Sequence, residues 1–506
     1  MRRTAVIDMG SNSWRLVVYD WEPGGHWKLT DEIREAVRIG ERMGEEQTLK
    51  PEPIDRGIHT AAVFAAFCRT AGIEDVAAVA TSAIRDAANR EDLLRPVREL
   101  TGLDVRVLSG EEEARYGFLA LANSTTLTDG VGLDVGGGSL QLMRVEGRSL
   151  AEAVSFPLGA VRMSERFLPN EKASGKAMKA ARAHVAETVA DLGWLEGRLV
   201  GIGGTARNLA TAAQRMEGHP DTGIEGYALG LDALEALIEE LASRPASMRG
   251  GVPGIKPDRA DVILGGALAI AAVMDAGGLD PLEVTEAGLR EGVFMERYLG
   301  GEHLLDDVRR RSVENLAAQY GADRRHAGQV ARLTLELYDG LAEAGLADGA
   351  DAERELLWAA SMLHDIGVAV DYDDHHKHSR YLILNAGLPG FTPRELLLIA
   401  TIARYHRKGE PSASDLGELA AKGDERRLAL LSGVIRLAEQ LERSRDGSVR
   451  SVSVRAGKDY VVICADAAGD PTVPIWSARR NADLLARAVG RQVEVERALG
   501  GRASPP

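Results

Sequence analysis

The sequence predicts a duplicated α/β protein followed by an all-α region and a small α/β tail. Three observations carry that reading. A short pattern occurs twice: VIDMGSNSWRL at 6–16 and GLDVGGGSLQL at 132–142. Each copy runs an apolar strand into Asp-x-Gly, then a small-residue turn, a Ser and a second apolar run, which places Asp8 and Asp134 at matching positions. Strands alternate with helices through both copies, as a partly parallel sheet in each half requires. From about His303 to about Ser444, helical periodicity rich in Leu, Ala, Arg and Glu takes over. The implied domains are 1–125, 126–300, 301–445 and 446–506.

In the first half, TAVID (4–8) and WRLVVYD (14–20) form a hairpin around the first turn. The stretch 58–72 has helical spacing and a Gly stop. VAAVATSA (76–83) and LDVRVLS (103–109) read as strands. The second half starts near Val131. LVGIGGT (199–205) is a strand entering a Gly turn, LGLDALEALIEELAS (229–243) an amphipathic helix, and EAGLREGVFMERYL (286–299) closes the half. In the tail, SVSVR (451–455) alternates strictly and YVVICAD (460–466) is apolar, with a turn at 456–459 between them. ADLLARAV (482–489) reads as a helix and the final GGRASPP as frayed.

At 506 residues the chain is too long for one core. Cys68 and Cys464 are too few for a disulfide framework and fit a reducing, cytoplasmic setting. No apolar run follows Arg2 and Arg3, so no signal peptide is expected. The longest apolar stretch, 262–274, falls short of the roughly 20 residues a membrane helix needs. It reads as a buried helix packed closely through Gly265, Gly266 and Ala267. A net charge of −15 argues against duplex nucleic acid as a partner. It still permits an anionic substrate, because a local basic cleft can work against the global sign. Basic clusters stand at Arg309–Arg311, at His375, His376, Lys377 and His378, and at Arg404, His406, Arg407 and Lys408. The arginine triplet reads as a solvated surface.

Glycine permits close backbone approach, so the two repeated turns can present several N–H groups to a phosphate. In SGEEEARYGFLAL (109–121), Ser109 and Glu112 have capping-box spacing, which gives Glu112 a structural task. Glu113 lies one residue on, on another face, near the helix N-terminus. Arg85 sits just past a strand end with Asn89 one turn later, where a guanidinium fork can grip phosphate oxygens. IGGTARNLA (202–210) is a third small-residue turn opening a helix, where Gly204 and Thr205 could donate to an anion.

Together these stretches resemble the exopolyphosphatase / guanosine pentaphosphate phosphohydrolase family (Ppx/GppA). That family belongs to the actin- and hexokinase-like ATPase superfamily, with ribonuclease H-like halves. The resemblance runs from about Thr4 to at least Ser444. It rests on IDMGSNSWRL (7–16), ATSAIRDAAN (80–89), SGEEEAR (109–115), LDVGGGS (133–139), FPLGAVRMSERF (156–167), IGGTARNLA (202–210) and GLREGV (288–293). It implies an Mg²⁺-dependent hydrolase that releases orthophosphate from the end of inorganic polyphosphate, with guanosine pentaphosphate as the alternative substrate and a homodimer as the assembly. It also implies that Glu113 is the catalytic base, Asp134 the Mg²⁺ ligand and Arg85 the terminal-phosphate binder. Ser11, Asn12, Ser13, Gly136, Gly137, Gly138 and Ser139 would line the phosphate loops. The family usually continues GGGS with Thr-Glu, whereas this chain has Leu140-Gln141, which weakens or rearranges the expected metal affinity. Two other readings stand beside the hydrolase: a non-catalytic polyphosphate or alarmone sensor, and a sugar or acetate kinase-like ATPase suggested by fold alone.

WAASMLHDIGVAV (358–370) carries His364-Asp365 on an apolar helix. The helical region resembles the HD metal-dependent phosphohydrolases, and the resemblance implies a possible second divalent-metal site of His326, His364, Asp365 and, where Asp is usual, Glu439. The longer Glu439 carboxylate would displace an ion by roughly 1 Å, enough to spoil a site. The preferred reading is therefore a degenerate module that lengthens a polyphosphate channel and helps dimerisation. The competing reading is a working second metal site, with the His375–His378 cluster as either phosphate contacts or further ligands.

Overall fold

The computed structural model describes residues 1–44, 46–220, 222–301 and 303–498. The C-terminal GGRASPP lies outside these residues. The chain divides into two compact units. Unit 1 comprises Met1–Gly218 and Ile224–Arg309; unit 2 takes in the chain from Arg310 together with His219–Gly223.

In unit 1 the first half contributes β1 (Arg2–Met9), β2 (Trp14–Trp21), β3 (Trp27–Glu35), β4 (Asp75–Ala80) and β5 (Val105–Val107), in the order β3-β2-β1-β4-β5. The second half contributes β6 (Gly130–Val135), β7 (Leu140–Glu146), β8 (Ser149–Phe156), β9 (Arg198–Ile202), β10 (Tyr227–Leu229) and β11 (Leu282–Val284), in the order β8-β7-β6-β9-β11-β10. In both sheets an antiparallel three-strand meander is joined to parallel strands. The repeated sequence word is thus a repeated topology. Asp8 and Asp134 are each the penultimate residue of the central strand. Their register partners on the neighbouring hairpin strands are Arg15 and Gln141.

Several elements differ from expectation for local reasons. The first long helix spans Pro51–Thr70 and so starts earlier than 58, because Pro51 has its φ preset for a first helical position. β4 stops at Ala80, where extended Thr81 caps the short Ser82–Asp86 helix. β5 keeps only three residues, as an edge strand paired on one side alone. β3 was invisible to patterning because most of its residues are exposed and polar. The apolar run expected as a close-packed helix is Ile263–Gly277, buried from Ile263 to Met274. A Cβ at Gly265 would meet the backbone of Ala160 and Ser164, so glycine sets that approach.

The helix Gly110–Ala122, which carries Glu113, is fixed at both ends. Ser109 Oγ accepts from Glu112 N while Glu112 accepts from Ser109 N, so the expected capping box is present. Further along, the helix packs against Leu289–Tyr298, where a Cβ on Gly292 would overlap the carbonyl of Tyr116. Gly292→Ala is expected to cost about 1–3 kcal/mol by overpacking, visible as a lowered melting temperature in calorimetry.

Unit 2 is built from helices Arg324–Glu343, Asp351–Leu363, His375–Ala386, Pro393–Arg404 and Asp424–Leu441, and a sheet of β12 (Val449–Ala456), β13 (Tyr460–Ala467) and β14 (Gln492–Arg497). β12 and β13 form the expected hairpin, closed by Gly457 N donating to Tyr460 O. β14 adds parallel to β13. Residues from Val313 to Val495 share one apolar cluster, so helices and tail have a common core. His364 does not lie within the helix as expected: that helix ends at Leu363, His364 is its C-cap, and Asp365 follows in the turn.

Candidate functional site

The two repeated turns face one another in unit 1. Gly136 N donates to Ser139 O at 2.9 Å, closing the second turn, and Ala160 N and Val161 N donate to the carbonyls of Gly136 and Gly137. In the first turn the carbonyls of Ser11 and Asn12 accept from Gly40 N and Arg38 N. Ser11 Oγ lies 3.0 Å from Ser82 Oγ, and a Cβ on Gly138 would collide with the Ser82 hydroxyl and touch Ser11 Oγ. Glycine is therefore required where the two loops meet. Asn12 Nδ2 donates to Asp258 O at 3.4 Å, and Ser13 sits half-buried beside it.

Glu113 reaches the same place. Its Oε2 accepts from Arg85 Nη1 at 2.7 Å and its Oε1 from Ser139 Oγ at 3.4 Å. The side chain is 10% exposed, and burial raises its pKa against the opposing pull of Arg85. Arg85 also donates to Leu108 O and Asp86, so the fork expected on a terminal phosphate is here turned towards the carboxylate. Gln141, buried, donates from Nε2 to Ser139 Oγ at 2.7 Å and to Ser155 Oγ at 3.2 Å, while its Oε1 has no hydrogen-bond partner.

Asp134 faces the opening of the Gly203–Glu217 helix. Gly203 has φ +82°, and a Cβ there would run into Asp134 Oδ1. Burial, with Glu113 and Asp8 adding negative charge, pushes Asp134 up to about 7. Burial likewise raises Asp8, against the pull of Arg290 and Arg15. Recessed carboxylates that raise one another's proton affinity would be stabilised by a cation, and one or two carboxylates with waters suit Mg²⁺. The residues therefore fit that ion. Thr205 is less open than expected: its hydroxyl donates to Val135 O at 2.7 Å and the side chain is fully buried. Gly204 presents bare backbone to the Arg259 guanidinium.

Sequence reading missed a set of cations gathered from distant positions. Burial, Arg290 and Arg207 push Arg15 down to about 9. Burial, Arg207 and Arg34 push Arg259 down to about 10. Lys256 is lowered by burial and then by Arg15, Arg34 and Arg207. Arg259 Nε and Arg290 Nε are buried without a hydrogen-bond partner. Arg15 pairs with Glu32, Arg34 with Asp258 and Arg290 with Asp8, and the repulsion that remains within the set would be eased by an anion. No local pattern announces them, because only the folded sheets bring positions 15, 34, 207, 256, 259 and 290 together.

The sequence profile of the Ppx/GppA phosphatase family matches residues 17–300, more than half of the chain. The chain belongs to the Ppx/GppA phosphatase family. Domain III of the same family matches residues 308–463. The Aquifex aeolicus family member, a crystal structure, is 28% identical, with 58% of this chain and 96% of that one covered at a TM-score of 0.51. An exopolyphosphatase-like protein is 26% identical, with 58% and 98% covered and a TM-score of 0.53. An exopolyphosphatase from Cytophaga hutchinsonii, 22% identical, shares the fold over 60% of this chain and all of its own, with a TM-score of 0.56. Each of these structures is thus matched over nearly its whole length by only about three-fifths of the present chain.

The family's domain III region holds a second constellation, in unit 2. His326 enters from the first turn of Arg324–Glu343, His364 and Asp365 from the end of Asp351–Leu363, His375 from the start of its own helix, His406 from just after Pro393–Arg404, and Glu439 from Asp424–Leu441. Glu439 Oε2 lies 3.0 Å from His326 Nε2 and 3.2 Å from His364 Nε2, so its extra methylene does not withdraw the carboxylate from the histidines. His375, His376 and His406 are buried. They do not form the exposed basic strip that phosphate contacts along a channel would need. Burial followed by the neighbouring His364 pushes His406 down to about 3. Among the described residues, no helix is long and apolar enough to cross a membrane.

Proposed function

We propose that this phosphatase is an exopolyphosphatase, which hydrolyses the outermost phosphoanhydride of inorganic polyphosphate and releases orthophosphate. The observation that carries the reading is Glu113: a buried carboxylate of raised pKa at the meeting of the two phosphate turns, held on a capped helix. A carboxylate whose proton affinity is raised by burial is a stronger base than an exposed one, as a general base requires. Glu113 orients a water and accepts its proton as the water oxygen bonds to the terminal phosphorus. The bridging P–O bond breaks, and the shortened chain leaves with that electron pair. Asp134 would hold Mg²⁺, whose charge would neutralise phosphate oxygens; most of the remaining work is positioning and charge stabilisation by the protein. Arg85 moves its fork from Glu113 to the terminal phosphate as substrate enters. Gln141 donates to Ser139, which leaves the Ser139 hydroxyl free to donate to Glu113.

The cations at 15, 34, 207, 256, 259 and 290 favour a run of phosphates over a single one. They would also hold guanosine pentaphosphate, the alternative substrate. Orthophosphate release from each, compared as kcat/KM, decides between them. For the polymer reading, affinity for long chains is expected to fall steeply with added salt, more steeply than affinity for tripolyphosphate, because each neutralised phosphate adds about 0.7 to the slope of log affinity on log salt. Equal slopes for the two ligands would remove the polymer argument.

A further inference from the structure

We propose that Arg162 is a substrate-binding residue which, together with Arg85, recognises the end of a phosphate chain in preference to its interior. The proposal deepens the hydrolase reading of unit 1, on which it rests for the place where the terminal phosphate lies.

The two arginines come from opposite halves of unit 1. Arg85 stands on the short helix Ser82–Asp86, whose first residue touches the crossing of the two turns through its hydroxyl. Arg162 stands in the first turn of the helix Ala160–Phe167, which is anchored on the second turn by Ala160 N and Val161 N donating to the Gly136 and Gly137 carbonyls. A Cβ on Gly137 would lie 3.0 Å from Ser11 Cβ and 3.5 Å from Val161 Cγ2, so the residue before Arg162 borders the same crossing.

Asp86 joins the two guanidiniums. Its Oδ1 accepts from Arg85 Nε at 3.2 Å and its Oδ2 from Arg162 Nη2 at 2.5 Å. A pin between the halves would need a single guanidinium. Here one carboxylate serves two, which leaves a surplus of positive charge. Glu113 covers that surplus in the structure by accepting from Arg85 Nη1. Once a phosphate draws Arg85 away from Glu113, Asp86 alone is left to balance both cations. Arg162 has donors to spare for the incoming anion. Among the described residues its Nε and Nη1 have no hydrogen-bond partner, and neither has Arg85 Nη2. The Arg162 and Asp86 side chains are each 27% exposed, so their pairing is weak and an anion can compete for it.

A chain end differs from the interior in charge and in free oxygens. An internal phosphate carries a single charge on two unbridged oxygens. The terminal group has three and, like a phosphomonoester, about −1.5 to −2 charge near pH 7. One guanidinium fork satisfies two oxygens. A second guanidinium from the other half adds most where a third oxygen and a further charge stand, which is the chain end. Nothing in the spacing of FPLGAVRMSERF (156–167) gives Arg162 this task, because its partner Asp86 lies 76 residues away.

The test reads binding by calorimetry in the Glu113→Gln protein with Mg²⁺ present, so that the ligand is not consumed. The probes are linear tripolyphosphate, which has ends, and cyclic trimetaphosphate, which has none. The Glu113→Gln protein should bind the line more tightly than the ring. Adding Arg162→Gln should cut affinity for the line about tenfold or more, the loss of a charge-assisted hydrogen bond, and change affinity for the ring little. Arg162→Lys keeps the charge without the fork and should lose less. Lys256→Gln, a cation outside the clamp, should weaken both ligands. Orthophosphate release by the wild type tests the hydrolase reading separately: no release with an intact preference for the line would remove the hydrolysis and keep the end recognition. An Arg162→Gln protein that retains the full preference, or a Glu113→Gln protein that binds line and ring equally, overturns the clamp.

Discussion

Glu113→Gln is expected to lower orthophosphate release from long-chain polyphosphate by about 10²–10⁴-fold, the range for loss of a positioned general base. The amide keeps one oxygen, which can accept from Arg85 Nη1, and its NH2 can donate to Ser139 Oγ, so the local fold and polymer binding should survive. Alanine would be a poorer choice, because it removes one of the two carboxylates that pair with the partly buried Arg85. The loss should therefore appear in kcat with KM little changed. Burial raises the Glu113 pKa, so wild-type activity should climb with pH as that carboxyl loses its proton, and the variant should lack this acid limb. Activity that survives the change would move the chemistry to unit 2. A wild-type protein inactive on both polyphosphate and guanosine pentaphosphate would turn the reading towards a sensor.

Asp134→Asn should produce two effects of opposite sign. Activity should fall by on the order of 10²–10³-fold, as when one preorganised charge-stabilising group is removed. Without divalent metal the variant should nevertheless melt higher than the wild type at pH 8. The sign follows from linkage: Asp134 is pushed up to about 7 in the folded protein, chiefly by burial, from an ordinary value of 3.8. Between these values the folded state holds a proton that the unfolded chain has released, so stability falls as pH rises through the window and the deficit is complete above about 7. The amide carries no such deficit, and the gap between the two proteins should close as pH falls towards 4. Mg²⁺ should raise the wild-type melting temperature at pH 8 and leave the variant unmoved. Calorimetry at pH 5 and 8, with and without Mg²⁺, reads all of these differences. A variant that melts lower than the wild type at pH 8 would contradict the account.

The repeated Asp-x-Gly turns were legible because close approach of two loops demands glycine, and glycine is visible in a sequence. The Ser109–Glu112 capping box was legible because its chemistry is contained in four consecutive residues. β3 was not: an exposed edge strand has no apolar alternation to reveal it. The cations around Arg15 and Arg259 were not either, since six positions spread from 15 to 290 converge only through sheet pairing. His375 and His406 were noticed for their charge at positions rich in Lys and Arg. Their burial, and the carbonyls that orient their rings, belong to tertiary structure. Glu439 shows the reverse limit. A longer side chain suggested a displaced ligand, yet the backbone of its helix sits where the carboxylate still reaches both histidines.

The equivalent strand ends of unit 1 have parted company. Across from Asp8 stands Arg15, with Arg290 at 3.4 Å; across from Asp134 stands Gln141, with Glu113 close enough to add its field. One socket is internally satisfied and the other is left electron-rich. A tandem fold with identical sockets would offer an ion two interchangeable seats and a phosphate chain no preferred direction of entry. Here the asymmetry gives the cleft a polarity, with a carboxylate paired to arginine at one strand end and carboxylates that raise one another's proton affinity at the other.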